Sequence, residues 1–233
     1  MPTNNTSDKQ VALFDEASHQ QVSRRKFLGY AGASSALLVT AAASCKKSTT
    51  NDSGVDLGSG DIGILNYAYA LEQLEAAFYI KVAMSPYTGI TAQETSYLTD
   101  IRDHEVAHRE FFKAALGTSA IQALQVNFSS IDFSSRASVL ATAKAFEDLG
   151  VSAYNGAGKL LVSATYLTLA GKIVSVEARH AALIRDLLMD GSFADSTVID
   201  TNGLDVLRRP PAVLAIAGTY ISTQINASNL PTA

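Results

Sequence analysis

Residues 105–108 read Glu-Val-Ala-His, and residues 177–180 read Glu-Ala-Arg-His. Each is a Glu-x-x-His step. Three residues along an α-helix bring two side chains to one face, so each pair can grip one ion. Outward from both pairs, apolar residues recur in alternating steps of three and four, the mark of a helix face turned into a core. Around the first pair the stripe is Leu98, Ile101, Glu105, His108, Phe112, Ala115. Around the second it is Ala170, Ile173, Glu177, His180, Ile184, Leu187. Glutamate and histidine stand where a core helix should be apolar.

Two more stretches repeat the anomaly with carboxylates alone. One gives Leu65, Ala68, Glu72, Glu75, Tyr79; the other gives Leu140, Ala143, Glu147, Gly150, Tyr154. A carboxylate in a core costs several kcal/mol unless it is paired or bound to metal. Lysine and arginine are absent from all four stripes. Glu72, Glu105, Glu147 and Glu177 bring four negative charges, two divalent cations balance them, and His108 and His180 can ligate while neutral.

The stripes also repeat in pairs. Glu72 precedes Tyr79 by seven residues, as Glu147 precedes Tyr154, and each such helix leads into a Glu-x-x-His helix. This predicts two related helix pairs about a pseudo-twofold axis. Glu75 lies one turn from Glu72, so either can be the donor of the first helix. The shared step to tyrosine favours Glu72 and leaves Glu75 as an additional donor. Tyr79 and Tyr154 read as core rings whose hydroxyls can reach the carboxylates. His104 is rotated about 100° from Glu105 and reads as an ordinary polar residue. Glu110 reads as part of the solvated face.

Helix signals set the boundaries. The first helix is expected over 61–84, ended by Ser85-Pro86-Tyr87-Thr88-Gly89. Thr91 and Glu94 form a capping box for the second, which stops at Gly117. Residues 118–133 are irregular. The third helix starts near Ser134 or Ser135 and ends around 155–158, and the fourth runs over 164–190 to Gly191. Pro210-Pro211 can open a short packing helix through Ile221. The class is all-α: a four-helix bundle over 61–190, with 191–233 as a C-terminal extension packed on it.

The first forty-five residues read as an address. Ser23-Arg24-Arg25-Lys26-Phe27-Leu28 precedes a weakly apolar run from Gly29 to Ala43, which closes with Ala42-Ala43-Ser44-Cys45. A charged start, a short apolar run and small residues mark an export signal, and this one resembles the twin-arginine type. Cys45 resembles the lipid-acceptor cysteine of bacterial lipoproteins, although Ala42 stands where such boxes more often carry leucine. Ordinary cleavage nearby and an uncleaved short anchor are the alternatives. Residues 46–60 read as a flexible polar linker. The expected location is therefore the periplasm or cell envelope, with the chain held to the membrane by a lipid.

A net charge of −4 gives no reason to expect a nucleic-acid partner. The single cysteine excludes an intramolecular disulfide and a thiolate-rich metal site. One glutamate from each of two helices, with Glu-x-x-His from each of two others, is the pattern of di-iron and di-manganese carboxylate proteins. Residues 61–190 resemble the ferritin-like superfamily. Residues 64–79, ILNYAYALEQLEAAFY, and 177–182, EARHAA, resemble its exported branch, which includes stress- and desiccation-related proteins. The resemblance implies that Glu72, Glu105, His108, Glu147, Glu177 and His180 are ligands of two iron or manganese ions, with Glu105 and Glu177 bridging. It also makes 118–133 the long crossover between helix pairs. The expected function is a di-metal oxidoreductase consuming oxygen or peroxide, of ferroxidase, peroxidase or catalase type. The rival is a metal-binding stress-protection protein without turnover. A tethered monomer or homodimer suits the linker and anchor better than a storage cage.

Overall fold

The computed structural model describes residues 54–232. The export signal and Cys45 lie outside them. Five α-helices appear among these residues: α1 Gly60–Met84, α2 Ala92–Leu116, α3 Arg136–Gly158, α4 Ala164–Leu188 and the short α5 Pro210–Ala217. The expected ends hold to within a few residues, because local caps set them. Glu94 N–H donates to Thr91 Oγ1 at 3.1 Å while Thr91 N–H donates to Glu94 Oε2 at 3.0 Å. Ser135 and Ser163 cap α3 and α4. Gly117, with φ +55°, closes α2 in a conformation that favours glycine. The tail helix stops at Ala217, one turn earlier than its apolar run.

Short connections make α1–α2 and α3–α4 hairpins, and α1 packs against α3 between them. Polar ties fix both ends. At one, Asp61 in the first turn of α1 accepts from the N–H groups of Val162 and Ser163, at 2.7 and 2.8 Å, in the α3–α4 turn. At the other, Arg136 at the start of α3 pairs with Glu94 of α2 at 2.6 Å and donates to the Leu187 carbonyl of α4 at 2.8 Å. The second helix therefore ends opposite the place where the third begins, and residues 117–135 run the length of the bundle.

That crossover lies along α1. Asn66 donates to Leu57 O and Ser119 O and accepts from Ile121 N–H, while Gln73 accepts from Leu124 N–H at 2.8 Å. Phe128 and Phe133 of the crossover pack on Phe78. With α2 and α3 on its other sides, α1 is buried from Gly63 to Tyr79 except at Ala77. A stripe predicts one buried face; this helix is buried nearly all round.

The linker reading also changes at its end. Val55–Asp56 form a strand, β1, parallel to β2 at Ile225–Asn226, and Leu57 is fully buried. The C-terminal tail supplies these residues with a strand partner that composition does not reveal. No helix among the described residues is long and apolar enough to cross a membrane.

Candidate metal centre

The four helices bring Glu72, Glu105, His108, Glu147, Glu177 and His180 together at mid-bundle. Ligand atoms of Glu72, Glu105, His108 and Glu177 lie within 4.8 Å of one another, as do those of Glu105, Glu147, Glu177 and His180. Glu105 and Glu177 belong to both groups. All four glutamates are completely buried.

His108 Nδ1 stands 2.8 Å from Glu177, 3.5 Å from Glu72 and 3.8 Å from Glu105. His180 Nδ1 stands 2.9 Å from Glu105, 3.3 Å from Glu177 and 3.5 Å from Glu147. Despite these distances neither nitrogen has a hydrogen-bond partner. Neither do Glu72 Oε2, Glu147 Oε2, or either oxygen of Glu105 and Glu177. Buried polar atoms are nearly always satisfied, so a cluster of orphans aimed at common points has the donor chemistry of a coordination shell. Oxygen and nitrogen donors sharing an ion at about 2.1 Å stand about 3 Å apart in octahedral geometry, close to the spacing here. The residues fit metal binding.

The orphaned atoms also divide by role. The two shared glutamates leave both oxygens unpaired, whereas the other two leave one each. Tyr154 donates to Glu72 Oε1, and Tyr79 donates to Glu147 Oε1 at 2.5 Å. Each tyrosine thus serves the glutamate of the opposite hairpin, not the one seven residues before it. Burial, and then the facing carboxylate, push both phenols well above their usual range, so they stay protonated donors.

The electrostatics follow from packing carboxylates and imidazoles closely together in a core. Burial, then the charge of Glu177, raises Glu72 and Glu105, and burial raises Glu147 to about 6. Burial opposes ionisation of Glu177 too, but the two imidazoles that face it hold it down at about 2. Burial works against protonation of both imidazoles; the surrounding carboxylates outweigh it, raising His108 and lifting His180 to about 12.

Glu75 is buried but joins neither group. It sits three residues after Glu72, as Gly150 sits three after Glu147, and these equivalent positions meet. A Cβ on Gly150 would lie 3.0 Å from Glu75 Oε1. A side chain at 150 would crowd the end of Glu75, which would have to shift by a few tenths of an ångström. Burial, then the four neighbouring glutamates, push the Glu75 carboxyl well above its ordinary value.

His104 corrects the sequence reading. Its Nδ1 lies 2.9 Å from His180 Nε2, with the two rings within 8° of parallel. Burial, then His180 and His108, hold His104 below its usual value, as suits an accepting ring. The angle from Glu105 on α2 was right, but α4 comes close enough to place His180 along it. Arg185, outside every stripe, is also buried; it forms a two-bond pair with Asp148 at 2.7 and 2.8 Å and reaches Asp195. Glu110, as expected, is exposed.

An all-α bundle with a buried carboxylate–histidine cluster drawn from four helices defines the class of protein. The family model described as ferritin-like domain matches residues 60–190, more than half of the chain. The chain belongs to the ferritin-like family. No curated protein matches it.

Proposed function

We propose that this chain is an exported di-metal carboxylate protein that holds two iron or manganese ions and uses them to consume oxygen or peroxide. The supporting observation is the cluster of eight buried donor atoms without hydrogen-bond partners, six oxygens and two imidazole nitrogens. Carboxylate and imidazole donors without thiolate suit iron and manganese. Two such ions, when bound, supply two-electron oxidation and reduction of an oxygen–oxygen bond.

The chain's own residues have distinct tasks. Glu105 and Glu177, which belong to both donor groups, would be shared by the two ions. Glu72 with His108, and Glu147 with His180, would hold one ion each. Tyr154 and Tyr79 fix the rotamers of Glu72 and Glu147 by occupying the oxygen that does not face the cluster. The His108 side chain is 13% exposed while Glu72 is sealed, so His108 is the solvent-facing edge of the cluster. Phe112, Ile101, Ile173 and Ile184 are buried on the same helices and keep bulk water away.

The N-terminal segment supports export by the twin-arginine route, which carries folded proteins and so permits loading in the cytoplasm. Lipidation at Cys45 would then leave the domain tethered at the envelope as a monomer or dimer. The test is metal analysis of protein matured by its natural route, followed by oxygen and peroxide consumption after anaerobic loading. Two ions per chain with consumption of either oxidant supports the proposal. Two ions without consumption leaves the non-catalytic stress-protection reading in its place. No bound iron or manganese refutes both.

A further inference from the structure

The internal repeat pairs every donor of one half-site with a donor of the other: Glu72 with Glu147, Glu105 with Glu177, His108 with His180. It fails at the residue before each Glu-x-x-His step. In the first pair that residue is His104; in the second it is Val176. His104 sits 2.9 Å from His180 Nε2, whereas the valine offers no donor or acceptor to His108. Among the described residues, then, one metal-facing imidazole has a protein partner behind it and the other has none.

The direction of that contact follows from ring chemistry. For His180 Nδ1 to present a lone pair to an ion, its proton must reside on Nε2. That N–H then donates to His104 Nδ1, and His104 keeps its own proton on Nε2. The nearly parallel rings allow such a bond in the plane of both. A hydrogen bond behind a ligating histidine fixes its tautomer and orientation and strengthens it as a donor, and its loss typically costs 10–100-fold in affinity.

We propose that His104 is a positioning residue that makes the two metal positions unequal, so that the one built on Glu147 and His180 fills before the one built on Glu72 and His108. The inference rests on the two-ion reading above. The ordering comes from one ligand-to-imidazole contact that the repeat does not duplicate. His104 is itself exposed, so replacing it leaves the core packing intact.

The test is titration of the metal-free full chain with Mn²⁺, free ion being followed by electron paramagnetic resonance. The wild type binds in two steps separated by roughly 10–100-fold. His104→Ala weakens the tighter step by that factor and leaves the weaker one unchanged, so the two merge. His104→Asn, whose Oδ1 can accept near the position of Nδ1, restores the separation. In Zn²⁺-loaded protein labelled with ¹⁵N at histidine, the His180 Nε2–H signal is protected from exchange in the wild type and the asparagine variant, and lost in the alanine variant. Two equal steps in the wild type, unchanged steps in His104→Ala, or His104→Asn behaving as alanine would each overturn the inference while leaving the metal centre standing. Absence of any Mn²⁺, Fe²⁺ or Zn²⁺ binding would instead bring down the metal centre, and this inference with it.

Discussion

Tyr79→Phe tests the crossed wiring of the centre. The hydroxyl donates to Glu147 Oε1 at 2.5 Å inside a core where Tyr79 is fully buried. Phenylalanine keeps the ring and its edge-on contact with Phe78, so the change removes the hydrogen bond without opening a large cavity. A bond to a charged partner is worth about 1.5–3 kcal/mol, and the abandoned oxygen stays buried. A loss of about 2 kcal/mol follows, or roughly 4–8 °C in melting temperature for a domain of this size. The decisive measurement is a double-mutant cycle by urea unfolding of metal-free protein at pH 8, where Glu147, raised to about 6, is ionised. Tyr79→Phe should couple to Glu147→Ala by about 1–2 kcal/mol and to Glu72→Ala by under about 0.5 kcal/mol. Tyr154→Phe should show the mirror pattern. Below about pH 6 Glu147 takes up a proton, its bond from Tyr79 loses charge assistance, and the coupling should shrink. If Tyr79 couples to Glu72 as strongly as to Glu147, the crossed arrangement is wrong.

Metal binding should release protons, because the surrounding carboxylates raise His108 and His180 above the usual imidazole range while ligation needs bare Nδ1 atoms. Affinity for Mn²⁺ should therefore rise with pH by about tenfold per unit for each proton released; calorimetry in buffers of different ionisation enthalpy counts them, and pH-independent affinity between 6 and 8 refutes the assignment. Gly156→Ala and Gly171→Ala should have opposite signs in urea unfolding. A Cβ at 156 meets the Arg208 carbonyl at 1.8 Å, so the variant should lose roughly 2 kcal/mol or more. At 171 nothing lies within 4 Å, and alanine should gain about 0.5–1 kcal/mol of helix stability. Replacing Arg24 and Arg25 with lysine should leave folded protein in the cytoplasm, and Cys45→Ala should free the mature domain from the membrane. Cell fractionation reads both outcomes, and a Cys45 variant that stays membrane-bound at full length would show an uncleaved anchor instead.

What the chain reveals before folding is what a single helix turn can encode. Periodicity and caps located α1 to α4 because both act within about four residues. The Glu-x-x-His steps, and glutamates placed where core residues belong, pointed to the cluster because a buried charge needs compensation wherever the helix packs. Contacts between helices depend instead on how the helices are rotated and spaced, and no local pattern carries that. Thus Tyr79 was legible as a neighbour of some carboxylate, but only the packing of α1 on α3 selected Glu147. His104 lay correctly off its own stripe, yet the closeness of α4 turned it toward His180. Glu75 read as an additional donor, but it joins neither donor group, and helix packing sets it against Gly150. The crossover hid a third side of α1, and the distant strand at 225–226 ordered residues that composition marks as linker. Each depends on partners dozens of residues away or more, whose placement is settled only when the whole core closes.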